Sequence, residues 1–482
     1  MNPLRCVRCS SVMETEDLDA SCERCGSAVL VTYRSVPSVT RGQLENLPAG
    51  VWRYRAFLPD IASEEIVTLG EGGTPLLRAE RLGGELGLSN LLIKDESRNP
   101  TGSFMDRGST VLLSMAKRRR VKECSCVTTG NLGASLAAYC AKADIKASVS
   151  IHPNTDQGKL YQMLAYGAEV QLSAPQPVLS SRPGHALAVT AGNPYLLEGE
   201  KTTGFELIQE LGWKSPDVIV VPMGTGGHLL MIWQAILQLR QAGLVDGSGC
   251  RLLGVQARGT HSRGTGVRGQ GPNRLRPLPL VELEESEPFF RTKAAEAIAD
   301  SGGATLTTTS DDILEATGLL AKTEGIFAEP SSASVVAALS EAIGNGYIRR
   351  TETVVCVITG AGLKDPKAVS RLAKEARRVR LREPYTSPSP QIGETKFALL
   401  RLLQRQPGYG YDLRRQLGPE KSMSTASVYQ HLTELENFAM VRRKGTILYK
   451  GRERVLYELT RRGSDFLRIA GRLERAGRVQ PR

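Results

Sequence analysis

The chain has 482 residues, 41% of them hydrophobic and 23% charged, with a formal net charge of +12. That balance is enough to bury a core and excludes wholesale disorder and collagen-like repetition, and the length predicts about three structural units. No stretch approaches the ~18 to 20 consecutive apolar residues of a membrane-spanning helix, and the N-terminus lacks the apolar centre of a secretory signal, so a cytoplasmic protein is expected. The charge is uneven. From Gln391 to the end, 19 Lys and Arg face 9 Asp and Glu, so the last 92 residues carry +10 and everything before them only +2. A compact basic unit attached to a near-neutral body points to a polyanion-binding module.

Residues 1–35 carry two knuckles, Cys6-x2-Cys9 and Cys22-x2-Cys25, separated by 12 residues. Each turn aims two thiolates at one point, and two such turns complete a tetrahedral sulfur shell for zinc. Four thiolates leave no open position for water, so the zinc ribbon predicted here is structural. A ribbon can also lose its metal and persist as a loop. Cys124, Cys126, Cys140, Cys250 and Cys356 have no metal-like grouping and are expected as buried thiols.

Residues 36–383 alternate β-rich runs, such as Asp217–Pro222 and Thr353–Thr359, with helical patterns such as Ser135–Ala143. This alternation predicts an α/β body built on parallel sheets covered on both faces. The Gly-, Arg- and Pro-rich stretch Ala257–Pro279 reads as a surface loop. Gly224-Thr225-Gly226-Gly227 follows an apolar strand and precedes the helix-like run Leu229–Leu237. Its unhindered backbone N–H groups and the positive end of that helix suit an anion. Taken alone, Asn131 and Thr359 are as well suited to turns and caps, and Lys159 to a solvated surface.

The segment Lys94-Asp-Glu-Ser-Arg-Asn-Pro-Thr-Gly-Ser-Phe-Met-Asp-Arg-Gly108 resembles the cofactor-lysine region of the threonine synthase family, pyridoxal-phosphate enzymes of the tryptophan-synthase-β-like group. The resemblance continues in the family's order through Thr128–Ser135, Gly158–Leu160, Tyr166–Ala168, Leu197–Thr202, Gly224–His228, Gly325–Pro330 and Thr359–Asp365. It covers about three quarters of the chain, and the four-cysteine ribbon is similar to an N-terminal extension of some members. The resemblance implies two parallel-sheet subdomains, with Gly224, Thr225, Gly226 and Gly227 as the cofactor-phosphate loop. It further implies Asn131 at the cofactor's phenolic oxygen, Thr359 near its ring nitrogen, and Thr129, Ser135 and Lys159 towards substrate.

In the family the residue after Ser-Phe is a lysine that forms a Schiff base with the cofactor. Here it is Met105. A thioether forms no imine, and the amine that would move protons is lost with it, which by itself costs roughly 10²- to 10⁴-fold in rate. Met105 can be read as an isolated substitution, but Leu132-Gly133, His228 and Ala361 also depart from the family's usual residues, which favours divergence of the whole site. Pyridoxal phosphate is therefore expected without a covalent link at most, or a phosphorylated or amino-acid ligand such as O-phosphohomoserine alone. The alternative is an active threonine synthase or related lyase that recruits another amine.

Pro384-Tyr-Thr-Ser-Pro-Ser-Pro390 marks a linker over 384–392. In 393–482, helices are predicted at Thr395–Leu403, up to Leu417, and from an N-cap at Ser424 to Asn437, followed by strands at Met440–Arg443 and Val455–Leu459. This is a winged helix-turn-helix. Residues 408–413, Ser427–Glu436 and Tyr457–Gly463 resemble the PadR-like transcription regulators. The resemblance implies double-stranded DNA as partner and homodimerisation through a helix near Asp465–Leu473. Thr425, Gln430 and His431 stand on the third helix, and Arg442, Arg443, Lys444, Lys450, Arg452 and Arg454 are placed for phosphate contacts. Winged helices also bind proteins; the local charge favours DNA. Together these features suggest a ligand-sensing DNA-binding regulator.

Overall fold

The computed structural model describes residues 3–482 apart from 16, 129, 152–154, 173–185, 246–248, 258–287, 367, 369, 371, 373–392, 418–422, 450–451 and 476–482. The expected loop beyond Ala257, the linker and Lys450 lie outside the described residues. The chain divides into two units, Met1–Arg377 and Arg378–Arg482.

In the first unit, β1 (Leu4–Cys6), β2 (Val12–Met13) and β3 (Val29–Val31) form an antiparallel sheet in the order β2-β1-β3. Leu4, Val29 and Val31 are buried in the same apolar cluster as Val111, Leu136 and Tyr139, so the ribbon packs onto the body.

The body has two sheets. The larger joins β4 (Leu76–Arg78), β5 (Asn90–Asp95), β10 (Val218–Pro222), β11 (Arg251–Ala257), β12 (Ala304–Thr308) and β13 (Thr353–Ile358) in the order β12-β11-β10-β13-β5-β4. All its pairings are parallel except that of β4 with β5. The smaller joins β6 (Glu123–Thr128), β7 (Lys146–Ile151), β8 (Glu169–Leu172) and β9 (Ala186–Val189) in the order β8-β7-β6-β9, all parallel. Strands such as Val218–Val221 and Val354–Ile358 are buried along their length. Covering both faces of a parallel sheet demands such continuous apolar runs in place of alternation.

In the second unit, helices Glu394–Arg405, Gly410–Gln416 and Thr425–Asn437 precede β15 (Val441–Tyr449) and β16 (Arg452–Leu459) and a last helix, Arg461–Arg475. The short β14 (Gly408–Tyr409) pairs with β16, giving the order β14-β16-β15. The Ser424 hydroxyl accepts from the Ser427 N–H and caps the third helix at its expected start. Leu399, Leu403, Leu413, Val428, Leu432, Leu435 and Tyr457 close a core of this unit's own.

Candidate functional site

Four segments meet around Met105, which opens the helix Met105–Arg118 and is half-buried. Its amide donates to the Ser103 hydroxyl at 3.3 Å. The preceding Phe104 amide donates to the Thr359 carbonyl at 3.0 Å, and Ser103 bridges Gly360 in antiparallel fashion. The Gly360 carbonyl accepts from the Glu329 amide at 2.9 Å, and the Asn131 side-chain amide donates to the Glu329 carboxylate at 2.7 Å. The other oxygen of Glu329 is ion-paired with Lys159. Met105, Thr359, Glu329, Asn131 and Lys159 thus form one continuous chain of contacts. A Cβ at Gly360 would lie 2.4 Å from the Glu329 carboxylate, and one at Gly130 would lie 2.2 Å from the Lys159 Cδ, so a side chain at either position would displace the Glu329–Lys159 pair from its present place.

Asn131 is the first residue of the helix Asn131–Ala143, and its amide oxygen is buried without a partner among the described residues. Burial pushes the Glu329 carboxyl up, but Lys159, Lys364 and Asn131 pull it below the ordinary value, so it stands ionised between them. Lys159 also lies 3.5 Å from Asp156. Thr359 shares a 2.7 Å hydrogen bond with Ser332. Ser135, one turn beyond Asn131, is fully buried and donates to Asp106 at 2.6 Å, with Ser109 at 2.7 Å. Thr129 lies outside the described residues.

The glycine turn links β10 to the helix Gly227–Gln241. Gly226 has φ +88°, and a Cβ there would meet Ala294 at 2.7 Å, so the turn needs a residue without one. The Thr225 hydroxyl accepts from the Gly227 N–H at 3.3 Å. His228, next in the helix, stacks on Phe104 with centroids 4.2 Å apart and planes at 14°, which joins this turn to the Met105 corner. Its Nε2 lies 3.0 Å from the Thr203 hydroxyl, and burial holds its pKa down to about 4, so the ring is neutral.

A buried ion network backs the Met105 helix. Arg107 donates to Glu96 at 2.6 and 2.8 Å, to Glu206 at 3.0 and 3.1 Å, and to Thr74 and Thr202. Lys94 also pairs with Glu206, at 2.7 Å. Nothing in the residue spacing marks Arg107, Glu96, Glu206 or Glu329 as partners. A local signal existed for Glu329, an acid placed directly before a helix-opening proline in an apolar stretch.

At the ribbon, the four cysteine sulfurs lie within 4.8 Å of one another. Cys6 and Cys25 are 3.5 Å apart, Cys9 and Cys22 3.6 Å, and Cys9 and Cys25 3.7 Å. Zinc–sulfur bonds of ~2.3 Å at tetrahedral angles place sulfurs ~3.8 Å apart, so the donor set fits that ion. The Ser11 hydroxyl holds the Cys22 thiol down to about 6, whereas burial pushes Cys6 up to about 11. The other five cysteines are buried and form no disulfide.

In the second unit the third helix presents Ala426, Gln430, Thr433 and Asn437 as an exposed stripe. Thr425, half-buried, accepts from Arg414 at 3.4 Å. His431 is half-buried with Nδ1 3.7 Å from Glu434. Arg442 and Lys444 pair with Glu458 at 2.7 and 3.2 Å, and Arg443 with Glu436 at 3.2 Å. The base of the hairpin is therefore partly charge-compensated. Arg454 is half-buried with its Nε unpartnered among the described residues, and Arg452 opens β16.

Residues 67–360 match the family described as pyridoxal-phosphate dependent enzyme, and residues 399–469 the transcriptional regulator PadR-like family. The threonine synthase of Methanocaldococcus jannaschii is 36% identical over 388 residues, 77% of this chain and 95% of that protein. That of Methanosarcina acetivorans is 35% identical over 392 residues, 78% of this chain and 95% of that protein. The solved structure of the processed form of threonine deaminase isoform 2 from Solanum lycopersicum shares the fold, with a TM-score of 0.50 at 19% identity over 72% of this chain and 99% of that one. With its two largely parallel sheets, its glycine turn and the Asn131–Glu329 contact, the chain belongs to the pyridoxal-phosphate dependent enzymes of the threonine synthase kind, extended by a PadR-like unit.

Proposed function

We propose that this chain is a ligand-responsive DNA-binding regulator in which a threonine-synthase-like body has kept a binding pocket and lost its Schiff-base lysine. The observation that carries the reading is Met105, standing at the head of its helix in the family's Ser-Phe-Lys position, in a chain that also has a basic PadR-like unit. Pyridoxal phosphate supplies an aldehyde that condenses with amines and a ring that withdraws electrons. The residues suit such a group: the glycine turn offers backbone N–H groups to a phosphate, and the buried, unpartnered Asn131 oxygen awaits a hydrogen-bond donor. No amine at Met105 can attach it, so cofactor or a phosphorylated amino acid binds reversibly. Lys159 is ion-paired with both Glu329 and Asp156, and an amine engaged by two carboxylates is a poor substitute nucleophile.

In this reading zinc fills the cysteine site and fixes the ribbon. The unit from about residue 393 places the Thr425–Asn437 helix in the major groove of double-stranded DNA, and the Arg461–Arg475 helix pairs two copies in the cytoplasm. Ligand favours one body conformation and so biases DNA affinity, which requires unequal ligand affinity in the two states. The reading predicts no visible cofactor band that borohydride fixes to the protein, and a mobility shift on DNA upstream of its own coding sequence that is lost on truncation near Pro390. A borohydride-fixed adduct, or brisk conversion of O-phosphohomoserine to threonine, overturns it. That result establishes the second reading, an active threonine synthase or related lyase, which the intact Asn131 corner and glycine turn favour.

A further inference from the structure

The helices Pro194–Glu200 and Thr202–Glu210 run on through Lys201, whose φ −53° and ψ −32° are helical, so helical spacing holds across both. Leu197, Glu200, Thr203 and Gly204 share one side. Three of the four are pinned against the helix that follows the glycine turn. The Leu197 Cδ2 lies 3.0 Å from where a Gly227 Cβ would stand, the Thr203 hydroxyl 3.0 Å from His228 Nε2, and a Gly204 Cβ would meet Ala235 at 2.7 Å. Glu200, the fourth, stands between Leu197 and Thr203 on that side. It is 2% exposed, and among the described residues its side chain makes no hydrogen bond or ion pair. His228 Nδ1 is likewise buried and unpartnered. The buried Nδ1 of His228 thus stands in the first turn of this helix, and helical spacing turns the partnerless side chain of Glu200 towards the same end, where an anion would sit.

We propose that Glu200 is a specificity-determining residue for the anion held at the glycine turn: it admits a phosphate group only while it carries a proton, which it then donates as a hydrogen bond. The proposal rests on the reading of that turn as a phosphate site. An ionised carboxylate here would itself satisfy the helix's positive end and repel a dianion. Burial alone pushes the Glu200 carboxyl well above the ordinary range. Among the described residues no facing group offsets it. On the opposing helix His228 is neutral, and from the Met105 helix Arg107 is committed to Glu96 and Glu206 while Asp106 is bonded to Thr101 and Ser135. On its own helix Glu198 and Lys201 are paired with each other, and Glu206 turns to Arg107 and Lys94.

The test is calorimetric titration of the full chain with pyridoxamine phosphate, which carries the phosphate without an aldehyde, from pH 6.5 to 9.5, with pyridoxamine as control. Affinity of the native protein is expected to weaken about tenfold per pH unit above the Glu200 midpoint, while E200Q stays flat. On that falling limb the native protein takes up one proton per ligand, read in buffers of different ionisation enthalpy, and this count needs no variant. Equal pH profiles and no proton uptake overturn the role of Glu200 while leaving the phosphate site standing. If neither protein prefers the phosphorylated probe at any pH, the phosphate reading falls and takes this proposal with it.

Discussion

Replacing Arg107 by methionine tests whether the buried ion network holds the Met105 helix in place. The guanidinium is fully buried and satisfies two carboxylates and two hydroxyls. Methionine fills much of the volume but leaves Glu96 without its closest cation, whereas Glu206 keeps Lys94. Removing one partner of a buried pair costs about 3–5 kcal/mol. For a unit of this size, with a urea dependence near 3 kcal/mol/M, the unfolding midpoint should fall by about 1–1.7 M. Trp52, Trp213 and Trp233 all lie in the first unit, so intrinsic fluorescence reports on this unit. The pH dependence has a definite sign. Burial raises both carboxyls, but Arg107 and Lys94 pull Glu96 and Glu206 below the ordinary value. Their contribution is thus present above the unfolded value of ~4.3 and fades as pH falls through the lower folded values. In R107M burial of Glu96 is largely unopposed and its pKa rises above ~4.3, so protonation relieves the variant on acidification. The deficit should be largest at pH 7 to 8, shrink towards pH 5, and be partly recovered in E96Q/R107M. A midpoint within about 0.3 M of the native protein, or a deficit indifferent to pH, would refute the reasoning.

Serine at Cys9 and Cys22 together should abolish bound zinc, measured by elemental analysis, and lower the melting temperature of the first unit, because Leu4, Val29 and Val31 pack into the body's core; unchanged stability after zinc removal would separate the metal from the fold. Alanine at Gln430, exposed at the centre of the third helix's outer stripe, should weaken binding to a specific DNA site by about 1–3 kcal/mol, roughly 5- to 150-fold, with the salt slope unchanged. An equal loss on random DNA would assign Gln430 to backbone contact.

The sequence alone determined the α/β class of the body and several of its local elements. Continuous apolar runs at Val218–Val221 and Val354–Ile358 dictate buried parallel strands, the two Cys-x2-Cys turns bring four sulfurs together, and Ser424 starts its helix where its hydroxyl can cap it. These are local properties, set by side-chain period, turn geometry and capping within a few residues. The tertiary structure decided which distant groups meet. Asn131 and Glu329 are 198 residues apart in the chain, and Arg107 and Glu206 are 99 apart. Likewise the stacking of His228 on Phe104 depends on how the glycine turn packs against the Met105 helix. Charge pairing and burial are properties of folded neighbours, and no spacing along the chain encodes them. The sequence could show that Met105 is not an amine; packing alone decided which carboxylates and rings surround it.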